Sequence, residues 1–442
     1  MMSSQPLEIK WEKYKTALDR CRPVRMAGKV TKVVGLTAEG QGLGLDIGSL
    51  CAIHTMGDAV IPAEVVGFRD EKALLMPYGS TRGIRPGSRI TLTRTSPTTP
   101  VGEGFIGRVV DGLGRPLDGH GDIPADAEYP LYGHPINPME RAPIRDLMDV
   151  GVGAINTMVT IGMGQRIAIM SGSGVGKSIL MGMMAKFTAA DVVVMGLIGE
   201  RGREVLDFVK SNLGEEGMKK AVVVGATSDS PPLVKMRGAY LATTLAEYFR
   251  DRGRNVLLIM DSVTRFAMAS REVGLSAGEP PTTKGYTPSF FSQIPVLLER
   301  AGNVSGKGSI TGIYTVLVEA DDMNDPVGDT IRSIVDGHIV LSRNLANRNH
   351  YPAISVLESV SRVMRDVVSE DHIRLRGLAV DVMATYTDAE DMIAIGAYGK
   401  GTDARIDRAI DLMPKINNLL RQDISEKKPY GESLKTLEAI FK

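Results

Sequence analysis

The sequence predicts a multidomain protein with a small N-terminal β-barrel, a central α/β domain with a parallel sheet, and an α-helical C-terminal domain. Three observations support this prediction. Short β-rich segments broken by glycine and proline turns fill residues 27–95, strand-like and helix-like segments alternate over residues 96–365, and helical patterns alone follow over residues 366–442. Residues 1–26 hold one short amphipathic pattern and form a separate terminal segment.

The composition narrows the function classes. The 442 residues carry 52 basic and 52 acidic side chains, and this zero net charge gives no support to a broad surface for nucleic acid. The two cysteines, Cys21 and Cys51, lie in no metal-binding spacing and fit a reducing compartment. No apolar run reaches membrane-spanning length, and the N-terminus has no signal-peptide core. We therefore expect a cytosolic protein whose contact with a membrane is peripheral.

The terminal segment has a helical pattern over residues 7–19. Its apolar positions recur at helical spacing and are Leu7, Trp11, Tyr14 and Leu18. A docking helix for a partner explains this pattern. A helix that packs on its own domain, or frays in solvent, explains it equally well, since short terminal helices are marginally stable alone.

The β-rich segments that follow are typical of a small barrel or sandwich. They are Val30–Val34, Ala59–Val66, Ala73–Met76 and Arg89–Thr93. No titratable residues cluster among them, so we expect a structural role or a collar for assembly. Ser96–Gly102 has the proline and glycine content of a linker to the next domain.

Strand and helix patterns alternate in the central domain. The predicted strands are Arg166–Met170, Val192–Ile198, Ala221–Gly225, Val256–Asp261, Thr311–Val318 and Ile339–Leu341. Strands separated by helices predict a parallel sheet, in which ligands bind at the carboxyl ends of the strands. In the C-terminal domain the predicted helices are Leu375–Thr387, Ala389–Gly396, Arg405–Leu420 and Glu432–Phe441, with a break at Gly399–Asp403.

A glycine-rich loop between a predicted strand and a helical run carries the clearest functional signal. Its residues are Ser171, Gly172, Ser173, Gly174, Val175, Gly176, Lys177 and Ser178. Glycines let backbone N–H groups approach an anion, and the positive end of the following helix faces the same point. Lys177 is expected to reach the β- and γ-phosphates of a nucleotide, and the hydroxyl of Ser178 to ligate Mg²⁺. Ser171 stands where the full pattern has glycine, and serine is small enough for the loop to survive.

A second anchor for Mg²⁺ is predicted at Asp261. This carboxylate ends an apolar strand, where a negative charge is costly unless something positive faces it. Mg²⁺, held directly or through water, meets that requirement. Capping of the next helix, which begins near Val263, is the alternative role.

The group that orients the attacking water is predicted to be Glu200, which follows the strand Val192–Ile198. Arg201 beside it is expected to hold the carboxylate or to contact phosphate. Arg203 and Glu204 are interpreted as the solvated first turn of a helix. No cysteine or histidine pair has zinc-binding spacing, so the chemistry predicted here rests on the loop and these acidic residues.

Several long motifs carry a family resemblance. The chain resembles the catalytic subunits of rotary ATP synthases through Phe105–Gly119, Ile161–Arg166 and Tyr351–Ile354. Within that superfamily it is similar to the ATPases of type III protein export, and specifically to the flagellum-specific form. The segments that carry this second similarity are Leu197–Val205, Pro295–Gly302, Tyr314–Pro326 and, with fewer residues, Ile395–Asp403.

The resemblance implies a homo-hexameric ring with active sites between subunits. It implies that Glu200 is the catalytic carboxylate, that Arg362 reaches into the neighbour's site as an arginine finger, and that Tyr351 stacks near adenine. Without the resemblance, a core tyrosine before a proline is the simpler interpretation of Tyr351. Small residues other than glycine occur at the position of Ser171 in export ATPases, so this departure leaves the resemblance intact.

The function implied by the resemblance is Mg²⁺-dependent ATP hydrolysis that energises type III export of flagellar proteins. Implied partners are a regulator on the N-terminal helix, a central stalk protein, membrane proteins of the export gate, and exported proteins with their chaperones, all at the inner face of the cytoplasmic membrane. Alternatives are a virulence-type secretion ATPase and a rotary synthase-type subunit. A non-catalytic ring subunit would carry an amide at Glu200, and an RNA translocase is disfavoured by the neutral charge.

Overall fold

The computed structural model describes residues 11, 14–15, 27–42, 44–55, 57, 59–318 and 325–442. The predicted docking helix over residues 7–19 lies outside the described residues apart from three isolated helical positions. The described residues divide into two compact units, with the division between Pro97 and Thr98. The predicted fold class is confirmed, and each unit is described by itself below.

The first unit is a closed barrel of six strands in the order β1-β2-β5-β4-β3-β6. Their bounds are β1 Ala27–Val34, β2 Thr37–Gln41, β3 Leu50–His54, β4 Val60–Arg69, β5 Lys72–Pro77 and β6 Arg89–Arg94. β2 and β3 were not predicted as strands. In β2, Gly40 lies where a Cβ atom would meet the Ile90 and Leu75 side chains at 2.6 and 2.8 Å, so the crowded barrel interior requires a residue with low β propensity.

The second unit is built on a nine-stranded sheet in the order β17-β16-β10-β15-β13-β11-β12-β8, with β14 paired to β15 outside this path. The bounds are β8 Val109–Asp111, β10 Arg166–Ser171, β11 Val192–Ile198, β12 Ala221–Ala226, β13 Asn255–Asp261, β14 Gly302–Asn303, β15 Ser309–Leu317, β16 Gly337–Leu341 and β17 Ile354–Ser361. A small separate ladder joins β7 Thr98–Val101 to β9 Ala127–Pro130.

The strands from β16 to β8 run parallel, and the edge strand β17 runs antiparallel to β16. All residues of β11 and β12 are buried, as expected for strands covered on both faces. The predicted strands are all present, with ends that differ by one or two residues. All of the parallel strands deliver their carboxyl ends to one edge of the sheet.

Helices cover both faces of this sheet. Their bounds are α1 Gly153–Met158, α2 Lys177–Phe187, α3 Gly202–Asp207, α4 Gly214–Met218, α5 Pro232–Asp251, α6 Val263–Ala277, α7 Pro288–Leu298, α8 Pro326–Ile334, α9 Arg343–Asn347, α10 Met364–Val367, α11 Glu370–Ala394, α12 Ala404–Leu420 and α13 Tyr430–Phe441. A π-helical turn at Phe208–Leu213 joins α3 to α4. Two apolar cores result: one lies under α1, α2 and α11–α13, and the other lies under α5–α8.

The prediction of separate helices at Leu375–Thr387 and Ala389–Gly396 was wrong, because α11 is one continuous helix. Ser369 caps its start by accepting the N–H of His372 at 3.3 Å. No glycine or proline interrupts the chain from residue 378 to the end of the helix. Thr387 donates its hydroxyl to the carbonyl of Met383 at 2.9 Å, so the polar stretch near the expected break is satisfied within the helix.

Arg300 is a buried residue that connects α7 to α5. Its side chain is fully buried, and it donates two hydrogen bonds to Glu247 on α5, one to the Thr244 hydroxyl at 2.8 Å and one to the Leu131 carbonyl at 2.9 Å. It thereby ties the end of α7 to α5 and to the segment after β9. A buried arginine is tolerated here because its donors face charge and carbonyl oxygen.

We predict that Arg300→Met lowers the free energy of unfolding by about 3–5 kcal/mol, because it leaves Glu247 buried without a partner. Urea denaturation followed by far-ultraviolet circular dichroism measures this change. The double variant Arg300→Met, Glu247→Leu is the control and should recover much of the loss, since both charges are then gone. Equal stability of Arg300→Met and the unchanged protein would contradict the assignment.

Candidate active site

The glycine-rich loop lies at the carboxyl edge of the sheet, between β10 and α2. Gly174 and Gly176 have φ angles of 78° and 92°, a region that side chains with a Cβ rarely adopt. Gly176 precedes α2, and no side chain caps the first turn of that helix. The free N–H groups of the first turn therefore remain available for an anion.

Two of the eight loop residues, Ser171 and Val175, have buried side chains. Ser171 is the last residue of β10, is 2% exposed and pairs in register with Leu317 of β15 and Leu341 of β16. Val175 is also 2% exposed and belongs to the core. Neither side chain lines the cavity above the loop. Ser171 thus fits as a strand residue, and its position needs no glycine.

A polar cavity of about 680 Å³ opens over the loop, a size suited to a nucleotide. Most of the predicted site residues line it. Those residues are Gly172, Ser173, Gly174, Gly176, Lys177, Ser178, Glu200, Arg201 and Tyr351.

Lys177 joins two of the predicted acidic residues. Its ammonium contacts the Asp261 carboxylate and lies 3.9 Å from Glu200. Asp261 is almost fully buried and also accepts a hydrogen bond from the Thr315 hydroxyl at 2.6 Å. The alternative role for Asp261 is not observed, because Ser262 caps α6 by accepting the N–H of Arg265 at 3.3 Å.

Glu200 lies beyond the end of β11 with a partly buried side chain. Burial, the negative charge of Asp261 and a hydrogen bond to Glu204 raise its pKa to about 7, although the Lys177 charge opposes the rise. A carboxyl group whose pKa lies near the working pH is suited to accept a proton from water.

Glu204 is exposed in the first turn of α3, as interpreted from the sequence, but that interpretation missed its contact with Glu200. Glu204 hydrogen-bonds to Glu200 and lines the cavity, whereas Arg203 is exposed and pairs with Asp207 at 3.3 Å. The sequence signal was the four-residue spacing between Glu200 and Glu204, which brings side chains together once the chain turns into α3.

The basic residues near Glu200 differ from those expected. Arg201 is 82% exposed and lies 3.7 Å from Glu204, so it does not hold the Glu200 carboxylate. Arg265, in the first turn of α6, lines the cavity and was missed. A Cβ atom at Gly199 would meet the Arg265 side chain at 2.7 Å, so this glycine leaves room for the arginine. The position of Arg265 four residues after Asp261 was the available signal.

Tyr351 lies at the loop, and Arg362 does not. The Tyr351 ring lies about 3.4 Å from where a Cβ of Gly176 would be. Arg362 follows β17, whose last residue Ser361 pairs with Gly337 at the amino end of β16. The loop lies at the other end of β16, which is roughly 13 Å away at about 3.3 Å per strand residue. Arg362 is therefore at the edge of the sheet opposite to its own chain's loop.

The oxygen atoms beside the loop fit Mg²⁺. A cavity of about 130 Å³ is lined by Ser178, Asp261, Glu200 and Glu204, among others. Hydroxyl and carboxylate oxygens are the ligands that Mg²⁺ prefers, together with water and substrate phosphates. In the described part of the chain, no three acidic, histidine or cysteine side chains form a metal site alone, so phosphate and water would complete the coordination.

The parallel sheet, the phosphate loop and the acidic strand ends define a P-loop nucleotide-binding protein. Three family models match the chain. The β-barrel domain of the ATP synthase alpha/beta family matches residues 30–94, its nucleotide-binding domain matches residues 151–361, and the C-terminal domain of the type III secretion ATPase EscN matches residues 368–439.

Curated relatives and solved structures agree with these models. The flagellum-specific ATP synthase of Bacillus subtilis is 51% identical, over 93% of this chain and 94% of the relative. The type 3 secretion system ATPase of Xanthomonas euvesicatoria is 44% identical, over 94% of both chains. The assembled ATPase EscN of enteropathogenic E. coli superposes with a TM-score of 0.89 at 42% identity, covering 94% of this chain and all of that one.

A second EscN structure, in complex with its central stalk EscO, superposes with a TM-score of 0.87 at 41% identity and covers 94% of this chain. The chain belongs to the ATP synthase alpha/beta family, in the branch of the flagellum-specific ATP synthases and type III secretion ATPases. The resemblance stated from the motifs is confirmed, and the chain is an ATPase. The helices of the described part lack the length and apolar character needed to span a membrane.

We predict that the ATPase rate, measured as kcat/KM, falls as the pH drops through about 7, because Glu200 must be ionised to accept a proton. Glu204→Gln should move this midpoint to lower pH, since it removes a neighbouring negative charge that raises the pKa of Glu200 and adds an amide N–H that can donate to the ionised carboxylate. Glu215→Gln, at an exposed position on α4, is the matched control and should leave the midpoint in place. An unmoved midpoint in Glu204→Gln would show that the Glu200–Glu204 contact does not set the pKa.

Proposed function

We propose that this chain hydrolyses ATP with Mg²⁺ to energise type III export of flagellar proteins, by delivering or unfolding export substrates at a membrane gate. The observation that carries the catalytic part is the grouping of Lys177, Glu200 and Asp261 at one sheet edge, above a loop with open N–H groups. The export part is supported by the named relatives.

Each of the site residues has a separate role in ATP hydrolysis. The N–H groups of Gly172 to Ser178 cradle the phosphates, and Lys177 pairs with the β- and γ-phosphates. Ser178 and Asp261 would hold Mg²⁺, the latter directly or through water, and the ion would supply positive charge to offset the charge that develops on the phosphates. Glu200 accepts a proton from the water whose oxygen attacks the γ-phosphorus, while the bond to the departing ADP oxygen breaks. Arg201 contacts phosphate, and Tyr351 stacks near adenine.

Arg362 completes the site of a neighbouring subunit in a homo-hexameric ring. Its position at the amino edge of the sheet supports action in trans, because the loop of its own chain lies at the opposite edge. A positive charge from a neighbour stabilises the transition state without obstructing entry of the nucleotide. The assembled structure of the similar ATPase EscN supports an oligomer.

The proposed partners follow from the same family. A central stalk protein is supported by the complex of EscN with its stalk EscO. A regulator on the N-terminal helix, gate proteins in the membrane, and exported flagellar proteins with their chaperones are the remaining partners, with the ring in the cytoplasm at the membrane's inner face. A virulence-type secretion ATPase is the second candidate, supported by the 44% identity to the Xanthomonas protein, and the 51% identity to the Bacillus protein favours the flagellar role.

We predict that Glu200→Gln retains ATP binding and loses at least about a hundredfold in kcat, because the amide cannot accept the proton while the phosphate cradle is unchanged. Binding of a fluorescent ATP analogue and phosphate release measure the two properties. The same variant should fail to restore motility in a flagellated strain that lacks its own export ATPase but is complemented by the unchanged chain. Glu215→Gln is the control in all three assays, and near-normal turnover by Glu200→Gln would refute the assignment.

We predict that Arg362→Ala lowers kcat by about a thousandfold and leaves nucleotide binding intact. Mixed with Glu200→Gln, it should regain part of the activity, because some interfaces then combine an intact Glu200 with an intact Arg362 from the neighbour. Arg365→Ala, which removes another exposed arginine three residues away, should retain activity and is the matched control. Absence of rescue in rings shown by two affinity tags to be mixed would count against action in trans.

A further inference from the structure

The strand β10 joins two functional positions of the chain. Its carboxyl end leads into the phosphate loop. At its amino end, Gln165, which precedes the strand, contacts Ser361 beside Arg362, and Arg166 contacts Asp336, whose carbonyl accepts the N–H of Arg362. We propose that Gln165 is a positioning residue for Arg362, so that the start of β10 sets where the arginine enters the neighbour's site. This inference rests on the role proposed above for Arg362.

Gln165 is fully buried, and both the oxygen and the nitrogen of its side-chain amide form hydrogen bonds. Its oxygen accepts the N–H of Gly162 at 2.8 Å. Its nitrogen donates to the Ser361 hydroxyl at 3.1 Å and to the Asp336 carbonyl at 3.2 Å. Both acceptors belong to the immediate surroundings of Arg362, since Ser361 precedes it in sequence and the Asp336 carbonyl accepts the N–H of Arg362 at 2.9 Å.

The two acceptors are themselves held in place. Ser361 donates its hydroxyl to the buried carbonyl of Thr160 at 2.7 Å. The Asp336 carboxylate accepts the backbone N–H of Arg166 at 3.0 Å and two guanidinium hydrogen bonds at 3.1 Å. The guanidinium of Arg166 also contacts Glu299 on its other side. The backbone of Arg362 is therefore tied from both directions to the first residues of β10.

The side chain of Arg362 itself has no such support among the described residues of its own chain. It is exposed, and it forms no ion pair or hydrogen bond with the other described residues. A charge that acts across an interface depends on accurate placement, and a displacement of about 1 Å can cost on the order of a hundredfold in rate. Accurate placement of the Arg362 side chain must therefore come from its backbone. The buried amide of Gln165 contacts both groups that hold this backbone, the Ser361 hydroxyl and the Asp336 carbonyl.

The test uses complementation between subunits of the full-length protein. Gln165→Leu removes both donated hydrogen bonds, and Ser361→Ala removes one acceptor with a much smaller change. We expect each variant to lower kcat, by about tenfold to a hundredfold for Gln165→Leu, while binding of a fluorescent ATP analogue is retained. Each should regain activity when mixed with Glu200→Gln, and neither should do so when mixed with Arg362→Ala, because both then lack a correctly placed arginine.

Gln422→Leu is the matched control. Gln422 is also a buried glutamine with three hydrogen bonds, to Gly151, Gly153 and Glu426, and its surroundings are those of its own chain's Tyr351. Any loss of activity in Gln422→Leu should not be rescued by Glu200→Gln. If Gln165→Leu merely misfolds, its loss of activity should resemble that of Gln422→Leu, with no rescue by Glu200→Gln, and not that of Arg362→Ala.

The outcomes separate this inference from the proposed function. If Gln165→Leu keeps full turnover, or loses it without rescue while Arg362→Ala is rescued, the positioning role is overturned and the role of Arg362 stands. If verified mixed rings show no rescue for Arg362→Ala either, the role of Arg362 in trans is overturned and the inference falls with it. If Gln165→Leu does not fold, Ser361→Ala decides by the same criteria.

Discussion

The contact between the Lys177 ammonium and the Asp261 carboxylate is the interaction on which the site depends. Asp261 ends a strand with buried neighbours on both sides, and a carboxylate there would be strongly unfavourable without compensation. Lys177 and the Thr315 hydroxyl supply that compensation from the loop and from the adjacent strand. Three elements are therefore held together by one buried charge, which fixes the loop to the sheet.

The same arrangement explains the behaviour of Glu200. One lysine faces two carboxylates, and the closer contact goes to Asp261. Glu200 is left with incomplete compensation, partial burial and a second carboxyl group, Glu204, within hydrogen-bonding reach, and its pKa rises. The pKa of the proton acceptor Glu200 therefore lies near 7, in part because Lys177 makes its closer contact with the more deeply buried carboxylate of Asp261.

Much of the candidate site could be predicted from the sequence, because the sequence patterns that mark it are local. The loop, Glu200 and Asp261 each follow an apolar run directly, and parallel strands bring such ends to one edge. Arg265, Glu204 and Gln165 were not recognised, because their roles depend on what lies opposite them in space. The buried position of Ser171 also required the structure, because it depends on strand register. The continuity of α11 was missed because the Thr387 hydroxyl near the expected break is satisfied within the helix.

The polarity of the sheet places the loop and Arg362 where they cannot meet within one chain. The loop lies at the carboxyl edge and Arg362 at the amino edge, and β10 and β16 span the distance between them. If Arg362 serves a loop, that loop belongs to another copy, and the two contacting surfaces are different patches of the same protein. Such heterologous contacts propagate from subunit to subunit and close into a ring when the rotation between copies allows it. A ring is therefore the closed assembly in which every loop receives an arginine and every arginine is used. In that assembly β10 links two sites. At one end is the subunit's own phosphate loop, and at the other end is the Gln165 amide, beside the Arg362 that enters the neighbour's site.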